Sequence, residues 1–226
     1  MTMYCIKGVL IFLAVPFALF GQNEFESLGE SSFSLNQKVN SRLDFNYSLR
    51  SRYFLYKDSE FTYDQRQLDL VHFTTYALNL NNSLSFGIQY RNRSIFNDRG
   101  NELRFTQQFN HTSTLEKFRF GHRLRIEQRI LEDITLWRSR YRFAIDFPLN
   151  GLKLDVGESY LVSSMEVLLT QNRAIKSEID HRTTIQIGWQ MSETLKLQTG
   201  LEYRFEAFNI DTQHLLFVLT SAVLKI

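Results

Sequence analysis

Between Phe118 and Pro148, arginine falls on alternate positions: Arg119, Arg123, Arg125 and Arg129 in one run, then Arg138, Arg140 and Arg142 in the next. Glu127 and Asp146 share that parity. A guanidinium is a planar fork of donors that stays charged at any working pH and pairs bidentately with carboxylate or phosphate oxygens. Two chemistries follow from so many of them on one face. They can form an ion ladder with nearby carboxylates, or a cationic constriction and binding site for anionic solutes. The same parity argument adds Arg50, Arg52, Arg91, Arg104, Arg182 and Arg204 to the set, with Glu102 and Glu202 as carboxylate partners. Arg66 and Arg93, and the acids Asp44, Asp69, Asp180 and Glu206, join on the same grounds.

Catalytic chemistry is poorly supplied. A hydrolase needs a base such as histidine or aspartate beside a nucleophile or water. His72, His111, His122 and His181 all fall on the parity opposite to the arginines, among apolar residues, and His214 stands at a strand start. No His/Asp/Glu cluster has metal-ligand spacing and no glycine loop could cradle a phosphate, so neither a metal nor a cofactor is expected, and no enzyme. The only cysteine, Cys5, precedes an apolar run and leaves the rest of the chain without thiol or disulfide chemistry.

The elements that position the arginines are strands. Side chains alternate across a strand, so a period of two separates a charged face from an apolar one. Opposite the arginines in this hairpin stand Phe118, Phe120, Leu124, Ile126 and Ile130, then Trp137, Tyr141, Phe143, Ile145 and Phe147. The pattern recurs from Ser41 onward. Leu43, Phe45, Tyr47, Leu49 and Tyr53 oppose Asp44, Arg50 and Arg52; Leu84, Phe86, Ile88 and Tyr90 oppose Gly87, Gln89 and Arg91. Leu154, Val156, Tyr160 and Val162 make one face of a strand expected over Leu152 to Leu169. Ile185, Ile187 and Trp189, and then Leu197, Leu201 and Tyr203, continue the apolar face, whereas His214 to Ile226 is apolar on both parities and its facing is open.

Short links near Gln37 to Asn40, Leu80 to Asn82, Ser113 to Lys117, Leu149 to Gly151 and Ser192 to Thr194 alternate with longer or more polar ones. The latter lie near Tyr56 to Glu60, Ser94 to Asn101, Leu131 to Thr135, Thr170 to Ser177 and Ala207 to Gln213. Short turns at one end and longer loops at the other mark a transmembrane barrel, whose apolar face points to lipid and whose polar face lines the lumen. Lipid also demands closure, because an unpaired backbone group finds no water there. Aromatic residues near both expected interfaces, such as Phe45, Phe86 and Trp189 on one side and Tyr90, Trp137 and Tyr203 on the other, fit girdles. The fold expected is all-β, an antiparallel transmembrane barrel of about ten strands, with twelve as the alternative. Glu24 to Asn36 alternates weakly and has three options: a plug in the lumen, a partner of the first strand, or a parallel partner of the last.

Composition agrees. Charged residues are 22% and apolar ones 43%, which excludes a disordered chain, and the 26 basic against 24 acidic residues argue against a nucleic-acid binder. Only Pro16 and Pro148 occur, as long ladders require. Lys7, the apolar run Gly8 to Phe20 and small Gly21 read as an export signal over residues 1–21, with the barrel over 22–226.

The runs HRLRIEQR (His122 to Arg129) and RSRYRFAIDFPLNG (Arg138 to Gly151), preceded by NELRFTQQF (Asn101 to Phe109), resemble an uncharacterised family of Gram-negative outer-membrane barrels, domain of unknown function number twenty-four ninety. The resemblance covers about Phe25 to Ile226 and implies fold and location, with no activity and no functional residue to carry over. Barrels of this kind commonly end in an aromatic residue, whereas this chain ends in Ile226.

The expectation is therefore a structural or binding barrel in the outer membrane with a charge-paired, arginine-rich lumen. The alternatives are a narrow, porin-like anion-selective pore or transporter, an outer-membrane enzyme, and a soluble periplasmic barrel or sandwich. The partners implied are outer-membrane lipid, the outer-membrane assembly machinery and, on the pore reading, small anionic solutes, with no nucleic acid.

Overall fold

The computed structural model describes residues 26–96, 100–172 and 176–226. The export signal expected over residues 1–21 lies outside the described residues. The chain forms eleven strands: β1 (Glu26–Lys38), β2 (Leu43–Lys57), β3 (Glu60–Ala77), β4 (Asn82–Asn92), β5 (Glu102–Leu115), β6 (Phe118–Ile130), β7 (Thr135–Pro148), β8 (Ser159–Gln171), β9 (Glu178–Gln190), β10 (Leu195–Glu206) and β11 (Gln213–Lys225). They close into one barrel in sequence order, with β1 hydrogen-bonded to both β2 and β11.

The count of ten is thus corrected to eleven, and the extra strand is the weakly alternating N-terminal segment. It takes two of its three options together, antiparallel to β2 and parallel to β11. The reason is geometric. Consecutive antiparallel strands reverse direction each time, so the first and last of an odd number run the same way and only a parallel ladder can close them. Glu26 opposite Leu215 and Asn36 opposite Lys225 bound that ladder, which leaves no free edge.

We call the end of the barrel that carries the 39–42, 78–81, 116–117, 149–158 and 191–194 connections the turn side, and the opposite end the loop side. Two connections depart from the expected lengths. The link near Tyr56 to Glu60 is a two-residue turn, with Asp58 and Ser59 at φ of 52° and 66°. Positive φ at both central residues gives the twist that a tight hairpin needs. Conversely, Leu149 to Gly151 opens a ten-residue connection, because Leu149 N bonds Ser159 O and the intervening residues leave the ladder. LKLDVGE (152–158) imitates alternation, yet Gly157 at φ 88° bonds back to Gln190 O, and β8 begins only at Ser159.

The faces follow the alternation. Leu70, Leu84, Phe86, Leu124, Ile126, Trp137, Tyr141, Ile185 and Leu201 are exposed on the outer surface, while Asp69, Glu102 and Glu127 are buried inside. β8 is a correction: Tyr160 is buried and inward, its ring lying over Gly188, and Val162 shares its parity, so the outer face of β8 is Leu161, Met165 and Val167 instead. The facing of β11 is resolved as Leu215 and Phe217 inward, where they pack with Leu28 and Phe54 into a small apolar core.

Candidate functional site

The lumen falls into two unlike halves. On the loop side, buried carboxylates form the floor on which guanidiniums are laid. Asp69 accepts Nε and Nη2 of Arg91, both at 2.8 Å, and is braced by Gln89 at 2.9 Å. Glu102 accepts Arg129 Nε at 2.6 Å and Arg93 Nη2 at 3.2 Å, and also bonds Arg104 Nε. Glu127 accepts Arg140 Nη1 at 2.9 Å and Arg125 Nη1 at 3.4 Å, while Glu166 takes the other arm of Arg140 at 2.6 Å. Asp180 lies 3.8 Å from Arg138 and 4.0 Å from Arg182. Glu202 holds Arg204 and accepts Thr184 at 2.9 Å. Glu30 binds Arg52 through Nη2 at 2.5 Å and Arg50 through Nε at 3.2 Å.

Burying so many charges is tolerable because each of these carboxylates is paired with at least one guanidinium, even though Oε2 of Glu127 has no hydrogen-bond partner of its own among the described residues; a buried ion left without its partner would cost several kcal/mol (~3–5). The mesh is cross-braced by rings. Arg204 and Arg52 lie 3.7 Å and 5.0 Å from the centroid of Phe217. Arg125 on β6 reaches to within 5.3 Å of the Phe73 ring on β3, so this contact spans the two intervening strands. Phe73 can lie flat inside the lumen because its cross-strand partner is Gly87; a Cβ there would sit 2.3 Å from the ring.

Towards the turn side the pairing stops. Arg123 and Arg142 are directly opposite each other on β6 and β7. Arg123 donates Nε to Asn110 at 3.1 Å, and no carboxylate of the described residues pairs with either arginine. Arg142 Nε is buried without an acceptor. In register Glu166 faces Arg142, but its bond goes to Arg140. Beyond them Arg119 pairs with Asp146 at 2.9 Å near the open end.

Among the described residues, two large cavities of the lumen frame this contrast. One of about 620 Å³ lies within the mesh, lined by residues that include Glu30, Arg50, Arg140 and Arg182; the other, of about 740 Å³, is the turn-side vestibule, reached by Arg119, Asp146, Tyr160, Lys196 and Lys225. Arg123, Arg142, Gln198 and Val223 line both, so they mark the divide.

The sequence therefore brings Arg50, Arg52, Arg91, Arg104, Glu102, Arg125, Glu127, Arg129, Arg138, Arg140, Arg182, Glu202 and Arg204 together in the mesh, and Arg119, Arg123, Arg142 and Asp146 in the vestibule. It missed Glu30 and Glu166. Glu30 lies in the segment whose strand character was weakest, and Glu166 shares its parity with Tyr160, Val162 and Leu168, which disguise an inward face as an outward one. Three histidines are bonded locally, His111 to Asn82 at 2.8 Å, His122 to Tyr141 at 2.8 Å and His214 to Tyr203 at 2.9 Å, while His72 bonds Thr74 through Nε2 and leaves Nδ1 without a partner among the described residues. Among the same residues no hydrogen bond joins a histidine to a lumen acid, and the lumen's chemistry is that of guanidinium donors.

A family model described as "Protein of unknown function (DUF2490)" matches residues 31–214. No curated protein matches the chain. Among solved structures, a bacterial polysaccharide outer membrane secretin superposes with a TM-score of 0.50 at 11% identity, covering 78% of this chain and 73% of that one. The siderophore receptor PirA from Pseudomonas aeruginosa aligns at a TM-score of 0.33 and 13% identity, over 77% of this chain and 34% of the other.

Proposed function

Because the chain belongs to the family of proteins of unknown function DUF2490, whose name carries no activity, we propose from the lumen itself that it is an outer-membrane barrel that binds or braces rather than conducts. The location is supported by the outward apolar band on a closed sheet, since lipid tolerates only a sheet without edges. A barrel of eleven strands stands between the eight whose interior side chains fill and the sixteen or more that leave a channel.

One observation carries the choice between a brace and a pore: arginines from both sides of the barrel reach inward over fully buried carboxylates and rings, Arg125 as far as Phe73. The guanidiniums that narrow this path are fixed on partners at 2.6–3.2 Å. The reading includes no catalysis, because the histidines bond neutral partners rather than a lumen acid among the described residues.

The tests are direct. Fractionation should recover the chain with the outer membrane, and its gel mobility should shift on boiling; recovery as a soluble periplasmic protein with no shift would sink the location. In planar bilayers the folded barrel should stay electrically silent. Discrete, anion-preferring steps that shrink when Arg125 and Arg140 are neutralised would replace this reading with the pore.

A further inference from the structure

The vestibule departs from the rule that governs the rest of the lumen. Elsewhere an inward arginine pair facing across strands is given acids: Arg125 and Arg140, also directly opposite on β6 and β7, share Glu127, and Arg140 has Glu166 besides. Arg123 and Arg142 have the same placement one inward row nearer the turns, and no acid. Like charges directly opposite in a sheet repel and destabilise it. Such a cost persists in a fold where something outside the chain relieves it, and strain of this kind gathers at ligand sites.

The surroundings describe what that something is. Arg119, Lys196 and Lys225 add cations around the same cavity, and its single carboxylate, Asp146, is already held by Arg119. Apolar side chains share the lining: Tyr160 and Val162 from β8, the strand next to Arg142, and Val223 from β11. Tyr160 is fixed there, its ring over Gly188 where a Cβ would approach to 2.3 Å, and its hydroxyl accepts Gln198 Nε2 at 2.8 Å. Lys196 Nζ stands 5.1 Å from the same ring. A ligand matched to this space has a multiply charged oxyanion at one end, to meet two guanidinium forks that pair with no carboxylate of the described residues, and a compact apolar body at the other.

We propose that the turn-side vestibule is a binding site for a phosphate-type oxyanion carried on a small apolar group, with Arg123 and Arg142 as its anion ligands. Among the described residues the Nε atoms of Arg140, Arg142 and Arg182 are buried without an acceptor, and Arg142 is the one of the three that lines the vestibule, where this ligand would satisfy it. The proposal rests on the reading of the lumen as a binding module, and it names the half of the lumen that binds.

Calorimetric titration of the folded full chain in detergent with phenyl phosphate tests it. Saturable binding is expected, tighter than that of inorganic phosphate, which lacks the apolar body. Because hydrogen bonds to charged groups contribute ~1.5–3 kcal/mol each, Arg123→Gln and Arg142→Gln should each weaken phenyl phosphate about tenfold or more. Arg42→Gln, at an exposed turn outside the cavity, should bind as the unmodified chain does. Equal binding by all four proteins, or none by a barrel that keeps its heat-dependent mobility, overturns the site. Inorganic phosphate binding as tightly as phenyl phosphate overturns the apolar half of the proposal. A conducting barrel that still binds through Arg142 would sink the silent-lumen reading while supporting the site; a silent barrel that binds nothing would do the reverse.

Discussion

One inward row separates Arg140 from Arg142 on β7, and the two side chains live under opposite electrostatic conditions. Arg140 spans Glu127 at 2.9 Å and Glu166 at 2.6 Å. Arg142 faces another arginine in register and pairs with no carboxylate of the described residues. The same residue type, on the same face of the same strand, thus holds two carboxylates in the loop-side half and none in the turn-side half, although the Nε of each is buried without an acceptor among the same residues. An arginine-rich lumen is accordingly not one feature. Where carboxylates lie beneath the guanidiniums the charges are paired within the wall, and where they do not the guanidiniums face one another, the arrangement on which the proposed solute site rests.

The largest effect that could break this contrast lies in the mesh. Glu102→Gln would leave Arg91, Arg93, Arg104 and Arg129 gathered around a neutral side chain that is 1% exposed. Loss of one partner from such a cluster is expected to cost ~3–5 kcal/mol, seen as a barrel that fails to refold or melts at much lower urea. An unchanged midpoint would mean that the mesh is not what braces the wall. Next comes the facing itself. Leu124→Arg puts a charge on the outer band beside Arg123 and Arg125, and should cost ~2–4 kcal/mol in lipid if it lies near the bilayer midplane. Tolerance of arginine at Leu124 would contradict a lipid-facing surface. Smaller still is Gly87→Ala: the added Cβ would sit 2.3 Å from the Phe73 ring and push it off the Arg125 guanidinium, with an overpacking cost of ~1–3 kcal/mol in unfolding assays. A neutral result would show that the ring is free to move and does not brace the lumen.

Much of this was legible in the sequence because β6 and β7 obey a period of two without interruption, and the same period carried the inward assignment of Arg50, Arg91, Arg104, Arg182 and Arg204. Legibility failed where one face was mixed. In β8, Tyr160, Val162 and Leu168 occupy the inward parity of Glu166, so hydropathy pointed the strand the wrong way. β1 hides its strand because closure by a parallel pair depends on the parity of the whole count, which no local window contains. The 149–158 connection was misread for a third reason: LKLDV alternates, and only the hydrogen bonds of Leu149 and Gly157 take it out of the ladder. The contrast between Arg140 and Arg142 could not be read at all. Both face acids or arginines at similar spacing, and which of them takes Glu166 is a matter of side-chain reach.

That allocation is also where the account is most directly measured. Arg140→Gln and Arg142→Gln remove one charge each from adjacent rows of one strand, and the unfolding midpoints of the two variants can be compared in the same detergent. Arg140→Gln should lower the midpoint, by about 3 kcal/mol in stability, since it takes the guanidinium from Glu166 and leaves Glu127 only the longer contact to Arg125 at 3.4 Å. Arg142→Gln should raise it slightly, by ~0.2–1 kcal/mol, since it relieves an unpaired like-charge pair. Two equal losses would contradict the division of the lumen into a braced half and an open one.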